Sequence, residues 1–589
     1  MARNKFDVDE TLETPFSLHH LKKAGVYIKR HLKPMIISLI VSIISGIIAL
    51  IGPLCLEEAL NVAVPQKDFK KLILLSGGFL LTIIFSILFV TIRGRYMTKV
   101  GQEIIYDIRK DLFEHLQRLP FQYYDDRPHG KILTRVINYV NNVSDMLSNG
   151  IISFILEIFN IILIAIFMLF VNAKLSLVIF AGVPFFILIT FLIKPAQRRS
   201  WQDVSNKGSN INAYLHETLD GAKVTQGFTR EEENEQIYDK LNSAYRKSWM
   251  KAQWTSNLVW FSVDNISVIV IGVLYLVGFF MIGGGIGIGT LIAMATYAHR
   301  FWQPILSLSN IYNNFINTIA YLERIFETLD EEVTVDDKEN AQILPPIKGN
   351  VEFNDVTFSY DGKINILENL SFDVKSGQSV ALVGPTGAGK STVVNLISRF
   401  YNLNGGKVLI DKTDISSVTL HSLRSQMGIM LQDSFIFSGT ILENIKYGKQ
   451  DATEEEVINA CKTVCAHDFI MEFPDGYNTQ VNERGSRLSQ GQKQLIAFAR
   501  TLLCNPKILV LDEATSSIDA KTEKLLQQGL NALLKGRTSF IIAHRLSTIK
   551  NCDKILYVSN KGIAESGNHD ELMALGGAYY KLYTAHMAV

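Results

Sequence analysis

The chain has few cysteines, almost no net charge and no internal repeat. Five cysteines, Cys55, Cys461, Cys465, Cys504 and Cys552, stand in 589 residues, and no two form a CxxC pair. That pattern predicts reduced, mostly packed thiols rather than a disulfide framework. Basic and acidic side chains number 58 and 57, a net charge of +1, so no global field draws in nucleic acid. The first sixteen residues, MARNKFDVDETLETPF, are acidic and polar. They have neither the apolar core of a signal peptide nor the arginine-rich character of a transit peptide. The first membrane helix is therefore expected to serve as the targeting signal. No low-complexity tract interrupts the chain.

What the chain has is apolar length, unevenly spread. Hydrophobic residues make up 48% of the whole. Up to about residue 327 they gather in runs near 20 residues, the length that crosses a bilayer. Beyond that point the sequence reads as an α/β domain. Six spans emerge, at 34–56, 72–92, 151–171, 175–193, 258–282 and 290–316, each rich in Ile, Leu, Val and Phe. The sixth is the least clean, because it carries His299, Arg300 and several asparagines. Long polar stretches at 93–150 and 194–257 are loaded with Arg and Lys, as is the segment before the first span. The positive-inside rule puts all three in the cytoplasm; three lysines at 66–71 run mildly against it. The two long stretches keep helical periodicity, so the helices should continue below the membrane and turn at short cross-helices near 120–135 and 214–231. Glu157 and Asp264 each stand seven residues into their span, ~9 Å deep at ~1.5 Å per residue. Ionised groups at that depth face a cavity or a partner, and Arg300 is one candidate partner, although the direction of its span sets it nearer the outer half. Either Glu157 and Asp264 sit at the cytoplasmic edge, where the helices have already left lipid, or they form an acidic inner cavity that would favour amphipathic cations.

The chemistry lies in the second half. A strand-like SVALV at 379–383 runs into GPTGAGKST: Gly384, Pro385, Thr386, Gly387, Ala388, Gly389, Lys390, Ser391 and Thr392. An apolar helical stretch follows. This is a G-x-x-x-x-G-K-[ST] phosphate loop in its strand–loop–helix setting. Its glycines let backbone N–H groups close on phosphates, Lys390 reaches the β- and γ-phosphates, and the Ser391 hydroxyl suits Mg²⁺. ILVLDE at 508–513 is a second buried strand ending in two carboxylates. Asp512 suits Mg²⁺ through water, and Glu513 is placed to polarise an attacking water. LSQGQ at 488–492 precedes a helix, where free N–H groups and the helix dipole favour an anion.

These motifs, in this order, resemble the ATP-binding-cassette (ABC) transporters, and the whole chain resembles a half-transporter of the type IV exporter class. The resemblance implies a fold of six transmembrane helices (1–329), a linker (330–348) and an α/β P-loop nucleotide-binding domain (349–589). It implies that Tyr360 stacks on adenine and that Gln432 senses Mg²⁺ and the transmembrane domain. It implies that Glu483 is the exporter-type glutamate and that Ser489, Gly491 and Gln492 form the signature. Asp519 matches the aspartate after the second strand, and His544 the histidine on the γ-phosphate. Implied catalytic residues are then Glu513, His544 and Gln432, with Ser391, Gln432 and Asp512 on the metal. Two positions depart from the pattern: Gln490 replaces the usual glycine of the signature, and Asn138–Tyr139 replaces an Asn-Asp pair. The first departure recurs in heterodimeric bacterial exporters, so a heterodimer is slightly favoured over a homodimer.

The expectation is an ATP hydrolase, using ATP and Mg²⁺, that moves an amphipathic drug- or lipid-like compound outward. It would work as a dimer of half-transporters, multi-pass in a bacterial plasma membrane, with the nucleotide domain in the cytoplasm. Its partners are a second half-transporter, membrane lipid and the small-molecule substrate, with no nucleic acid. An ATP-gated channel or a regulatory membrane ATPase is the alternative from another class; a lipid flippase differs only in substrate. A peptide-processing exporter is disfavoured by the lack of a protease domain and of any cysteine before Cys55.

Overall fold

The structure, a computed structural model, describes residues 19–125, 127, 129–282, 286–430, 434–512, 519–543 and 546–587. They fall into two compact units: Met1–His115 with Gly130–Asp330, and Leu116–His129 with Glu331–Val589.

Helices account for the first unit. In chain order they are α1 (His19–Arg30), α2 (Leu32–Glu58), α3 (Phe69–Arg118), α4 (Phe121–Asp125), α5 (His129–Thr134), α6 (Val140–Asp145), α7 (Ile151–Phe180), α8 (Gly182–Asp220), α9 (Ala222–Gly227), α10 (Glu231–Met281) and α11 (Ile288–Leu329). Of these, α4 belongs to the second unit by its packing. Three helical stretches, Leu32–Ala63, Phe69–Arg118 and Ile132–Asp220, are long and apolar enough to cross a membrane, and Asn265–Met281 is a shorter apolar helix. With 50 and 51 residues, α3 and α10 are each about 75 Å long, over twice the ~30 Å hydrocarbon thickness. The expected continuation beyond the apolar spans is therefore present. So are short helices at both expected turning regions, α4 and α5 in the first and α9 in the second.

Local chemistry explains the breaks. Asn172 (φ −159°, ψ 104°) interrupts α7 where the third and fourth expected spans meet. Its Oδ1 accepts from the Leu175 N–H at 3.1 Å and caps the helix that follows. Pro53 lies inside α2 and has no N–H for the Ala49 carbonyl. Arg300 Nη1 of α11 donates to that carbonyl instead, and Tyr297 Oη donates to Leu50 O at 2.6 Å. Farther along, Asn61 Oδ1 accepts from the Gly289 N–H at 2.8 Å, so a side chain of one helix satisfies the N-terminus of another. The core there is built on Met168, Leu175, Tyr297 and Trp302. Along the extensions beyond the apolar spans α8 pairs with α10: Trp201 Nε1 donates to Ser256 Oγ at 2.8 Å and packs edge-on against Trp249.

The second unit is α/β. Its strands are β1 (Val351–Phe358), β2 (Leu367–Val374), β3 (Ser379–Val383), β4 (Gly405–Ile410), β5 (Thr413–Asp414), β6 (Met427–Met430), β7 (Gly439–Thr440), β8 (Gln480–Val481), β9 (Ile508–Asp512), β10 (Thr538–Ile542), β11 (Lys554–Ser559) and β12 (Gly562–Gly567). A six-stranded sheet runs β12-β11-β3-β10-β9-β6, parallel except at β12, and an antiparallel sheet runs β2-β1-β4-β5. The parallel strands β3, β9 and β10 are nearly continuous apolar runs because both faces are covered. Helices α12 (Lys390–Ile397), α13 (Leu420–Arg424), α14 (Ile441–Lys446), α15 (Glu454–Thr463), α16 (His467–Met471), α17 (Gln490–Leu503), α18 (Ala520–Leu534), α19 (Leu546–Lys550), α20 (His569–Leu575) and α21 (Ala578–Met587) complete it. The stretch read as a linker counts with this unit from Glu331 on, and Leu344 and Ile347 are buried in its core. All five cysteines are free thiols. Burial pushes Cys461 up to about 12, which keeps it unreactive.

Candidate functional site

The phosphate loop forms between β3 and α12, where the sequence placed it. Gly384, Gly387 and Gly389 all have positive φ, at 141°, 81° and 101°. At Gly384 the demand is doubled, since a Cβ would lie 2.2 Å from the Val558 carbonyl oxygen. Pro385, Thr386 and Gly387 are exposed, Ala388 is half-buried and Gly389 is buried at the N-cap of α12. Lys390 Nζ turns back into the loop and donates to Gly384 O at 2.8 Å and Pro385 O at 2.9 Å. Burial holds its ammonium below the usual lysine range, and the Asp512 carboxylate opposes that shift. The lysine and the aspartate are thus in electrostatic reach. The ladder explains why: Ile542 of β10 is level with Leu382 of β3 on one side and with Asp512 of β9 on the other. Two strand spacings, ~10 Å, separate them at the carboxyl end of a parallel sheet, where open α/β sheets place their ligands. Ser391 is exposed at the loop and Thr392 is buried behind it.

Tyr360 stands where the resemblance put an adenine-stacking ring. Its hydroxyl shares a hydrogen bond of 3.1 Å with Thr392 Oγ1, and its ring meets Phe358 and Tyr401 edge-on at 4.8 and 5.0 Å. Tyr401 was missed in the sequence; the signal was the aromatic pair Phe400–Tyr401 directly after the loop helix. Both residues hold the α4 segment. Phe121 packs on Phe400 at 4.4 Å, Tyr401 Oη donates to Asp125 Oδ2 at 2.6 Å, and Gln122 Nε2 donates to Tyr360 O at 2.9 Å. Arg118 pairs with Asp336 at 2.6 Å and Arg127 with Glu331 at 3.0 Å. The turning segment Leu116–His129 is therefore anchored on the aromatic cluster of Tyr360, Phe400 and Tyr401 beside the loop helix.

The signature residues sit at the start of α17. Ser489 and Gln490 are exposed and Gly491 is buried. Ser489 Oγ accepts from the Gln492 N–H at 3.2 Å, and Gln492 Oε1 accepts from the Ser489 N–H at 2.9 Å. This capping box gives Gln492 a local task that sequence reasoning did not assign, although the S-x-x-Q spacing announces it. Asp519 likewise caps α18. The Thr522 N–H donates to it at 2.9 Å and holds its carboxyl below the usual range. Gln432, Glu513 and His544 lie outside the described residues. In sequence they follow β6, β9 and β10, which lie three, two and one strands from β3 in the parallel sheet. Among the described residues no cluster of His, Cys, Asp and Glu is arranged to hold a metal by itself.

Comparison with known proteins agrees with this geometry. Residues 35–305 match the family described as the ABC transporter transmembrane region, and residues 367–516 the family described as ABC transporter. The ABC transporter ATP-binding protein YknV of Bacillus subtilis is 40% identical over 592 residues, covering 99% of this chain and 97% of that protein. YgaD of the same organism, named for multidrug export and as an ATP-binding/permease protein, is 36% identical over 96% of this chain and 99% of its own length. The solved structure of a bacterial Atm1-family ABC exporter with ATP bound superposes with a TM-score of 0.78 at 29% identity, covering 95% of this chain and 98% of that one.

Proposed function

Since this chain belongs to the ABC transporter family, we propose that it is one half of an ATP-driven exporter of amphipathic compounds and acts as a dimer in a bacterial plasma membrane. The observation that carries the proposal is the glycine-built loop closing on Lys390, with Asp512 on the strand beyond its neighbour. Its positive-φ glycines and inward lysine fit a nucleotide polyphosphate. Relatives named for multidrug export support the substrate class.

Each residue then has a task. Lys390 exchanges its two loop carbonyls for phosphate oxygens, and Tyr360 offers its ring to the adenine. Ser391 and Asp512 suit a Mg²⁺ ion, which when bound offsets phosphate charge, and Gln432 joins them by resemblance. Glu513 takes the proton of the attacking water, with His544 on the γ-phosphate. Exposed Ser489 presents the N-terminus of α17 to a second copy of the domain, so each ATP is held between two chains. The second turning region also awaits a partner. Leu219, Val224 and Phe228 around α9 are 72, 62 and 75% exposed, whereas Phe121 of α4 is packed on Phe400. Gln490 in the signature favours a heterodimer.

Lys390→Ala and Glu513→Gln test the assignment. The first should weaken ATP binding; the second should keep binding and abolish steady-state hydrolysis, because the carboxylate acts on water. Wild-type turnover by Glu513→Gln would remove Glu513 as the general base.

A further inference from the structure

Among the described residues of the membrane unit, two cavities lie along one seam. One, of about 270 Å³, is lined by Glu157, Asn160, Arg300, Gln303 and Ser307 against apolar Leu50 and Ile164. The other, of about 450 Å³, is lined by Asn142, Asp145, Asn149, Asn314, Thr318 and Tyr321. Positions 142, 145, 149, 153, 157 and 160 recur every three or four residues, as do 300, 303, 307, 311, 314, 318 and 321. Each series is one face of a helix. The larger cavity lies mostly outside the apolar spans, whereas Glu157, Asn160, Arg300, Gln303 and Ser307 of the smaller one fall inside them, where polar groups are costly and mark a pathway or a binding site.

The charges in the smaller cavity are of both signs. Arg300 is fixed by donating one N–H to the carbonyl left open by Pro53, and four of its five donors are not used by any described bond. Glu157 faces the same space. Arg93 lies in electrostatic reach of Glu157 and donates to Ser153 Oγ at 3.2 Å. An acidic cavity was expected from Glu157 with Asp264, whose side chain lies outside the described residues; among those described both signs are present, so a cationic ligand near Glu157 meets Arg300, and an anionic ligand near Arg300 meets Glu157. In a low-dielectric space either repulsion is strong. A neutral ligand offers no counter-charge to Arg300, whose one described bond is to a carbonyl, and leaves Glu157 with Arg93 alone. At about 270 Å³ the cavity falls just below the ~300–1,000 Å³ of drug-sized sites, a scale that suits a head group.

We propose that this cavity binds the head group of a zwitterionic amphiphile, Arg300 taking the anionic group and Glu157 the cationic one. The apolar body lies along Leu50 and Ile164. The assignment rests on the export function proposed above.

The test uses the full-length chain, with whatever partner it purifies with, in nanodiscs of phosphatidylglycerol and a neutral glycolipid. Stimulation of ATP turnover is titrated with dodecyl-dimethylglycine (zwitterion), dodecyltrimethylammonium (cation) and laurate (anion), each scaled to the variant's own unstimulated rate. Wild type should respond at the lowest concentration to the zwitterion. Glu157→Gln should raise the half-maximal zwitterion concentration about tenfold, the loss of one charge-assisted contact, and shift preference toward laurate. Arg300→Gln should raise it similarly and shift preference toward the cation, with Arg300→Lys nearer wild type. Opposite shifts cannot come from general loss of folding. Lysophosphatidylethanolamine as a fourth probe separates sources: stimulation tighter than by dodecyl-dimethylglycine assigns a lipid head group, and weaker stimulation assigns a drug-like zwitterion. A wild-type preference for the cation, or equal shifts for all probes in both variants, overturns the proposal while leaving export standing. Absence of any ATP turnover in wild type, both alone and co-expressed with a neighbouring exporter gene, overturns both.

Discussion

Ser489 has two separable tasks, and two substitutions separate them. Its hydroxyl accepts from the Gln492 N–H at 3.2 Å while Gln492 returns a bond of 2.9 Å to the Ser489 N–H. Ser489→Ala removes the first bond and leaves one N–H of α17 without its cap, at a cost of about 1 kcal/mol. That should speed exchange of the Gln492 amide about fivefold, since 1 kcal/mol is a factor of about five in a local equilibrium. Ser489→Asp restores an acceptor of equal capping rank, so exchange should stay near the wild-type rate. The same carboxylate brings a negative charge to the exposed helix start, where a partner's γ-phosphate is expected. Turnover should therefore be reduced by alanine and abolished by aspartate, the reverse of the order in helix protection. Hydrogen exchange on the full-length protein, with and without ATP, and a steady-state ATPase assay read both axes. If Ser489→Asp turned over ATP at the wild-type rate, Ser489 would not face a phosphate. If alanine left exchange unchanged, the capping box would not be holding the helix.

Gly384→Ala should lower the thermal midpoint and the ATP affinity together, because its Cβ would meet the Val558 carbonyl at 2.2 Å at a φ of 141°, a strain of order 1–3 kcal/mol; thermal unfolding with and without ATP checks this. Tyr360→Phe keeps the ring and loses only the 3.1 Å bond to Thr392, so ATP affinity should fall less than about fivefold, whereas Tyr360→Ala should cost well beyond that in an equilibrium titration. Tyr401→Phe removes the 2.6 Å bond to Asp125 and should reduce transport per ATP hydrolysed, measured as the ratio of flux to phosphate release. The chain purified alone should show little turnover, rising sharply on co-expression with a neighbouring exporter gene; a stable homodimer with full substrate-stimulated ATPase would contradict the heterodimer.

Much of this was legible in the sequence because it is local. A glycine loop between a strand and a helix needs only a dozen consecutive residues, so Gly384 to Thr392 were read correctly as a unit. Apolar runs of membrane length are equally local, and the short helices appear in the two regions where a turn was expected. Crossings between distant elements were not legible. Nothing in sequence spacing says that Arg300 shares a cavity with Glu157 or that it answers the carbonyl opened by Pro53. Helical depth alone does not say which residues of α7 and α11 line one cavity. Packing of Leu116–His129 with the second unit rests on the pairs of Phe121 with Phe400 and Asp125 with Tyr401. These pairs are nearly 280 residues apart. The capping box at Ser489 was legible and was passed over, since the motif's family meaning drew attention from its local one.

The most direct test of ATP-driven export is accumulation against a gradient. Inside-out vesicles containing the transporter, given a fluorescent amphiphile and ATP, should concentrate it above the outside level. Accumulation should vanish with Glu513→Gln although ATP still binds. Equilibration to the outside level and no further, reached equally by Glu513→Gln, would contradict a pump and identify a nucleotide-gated channel.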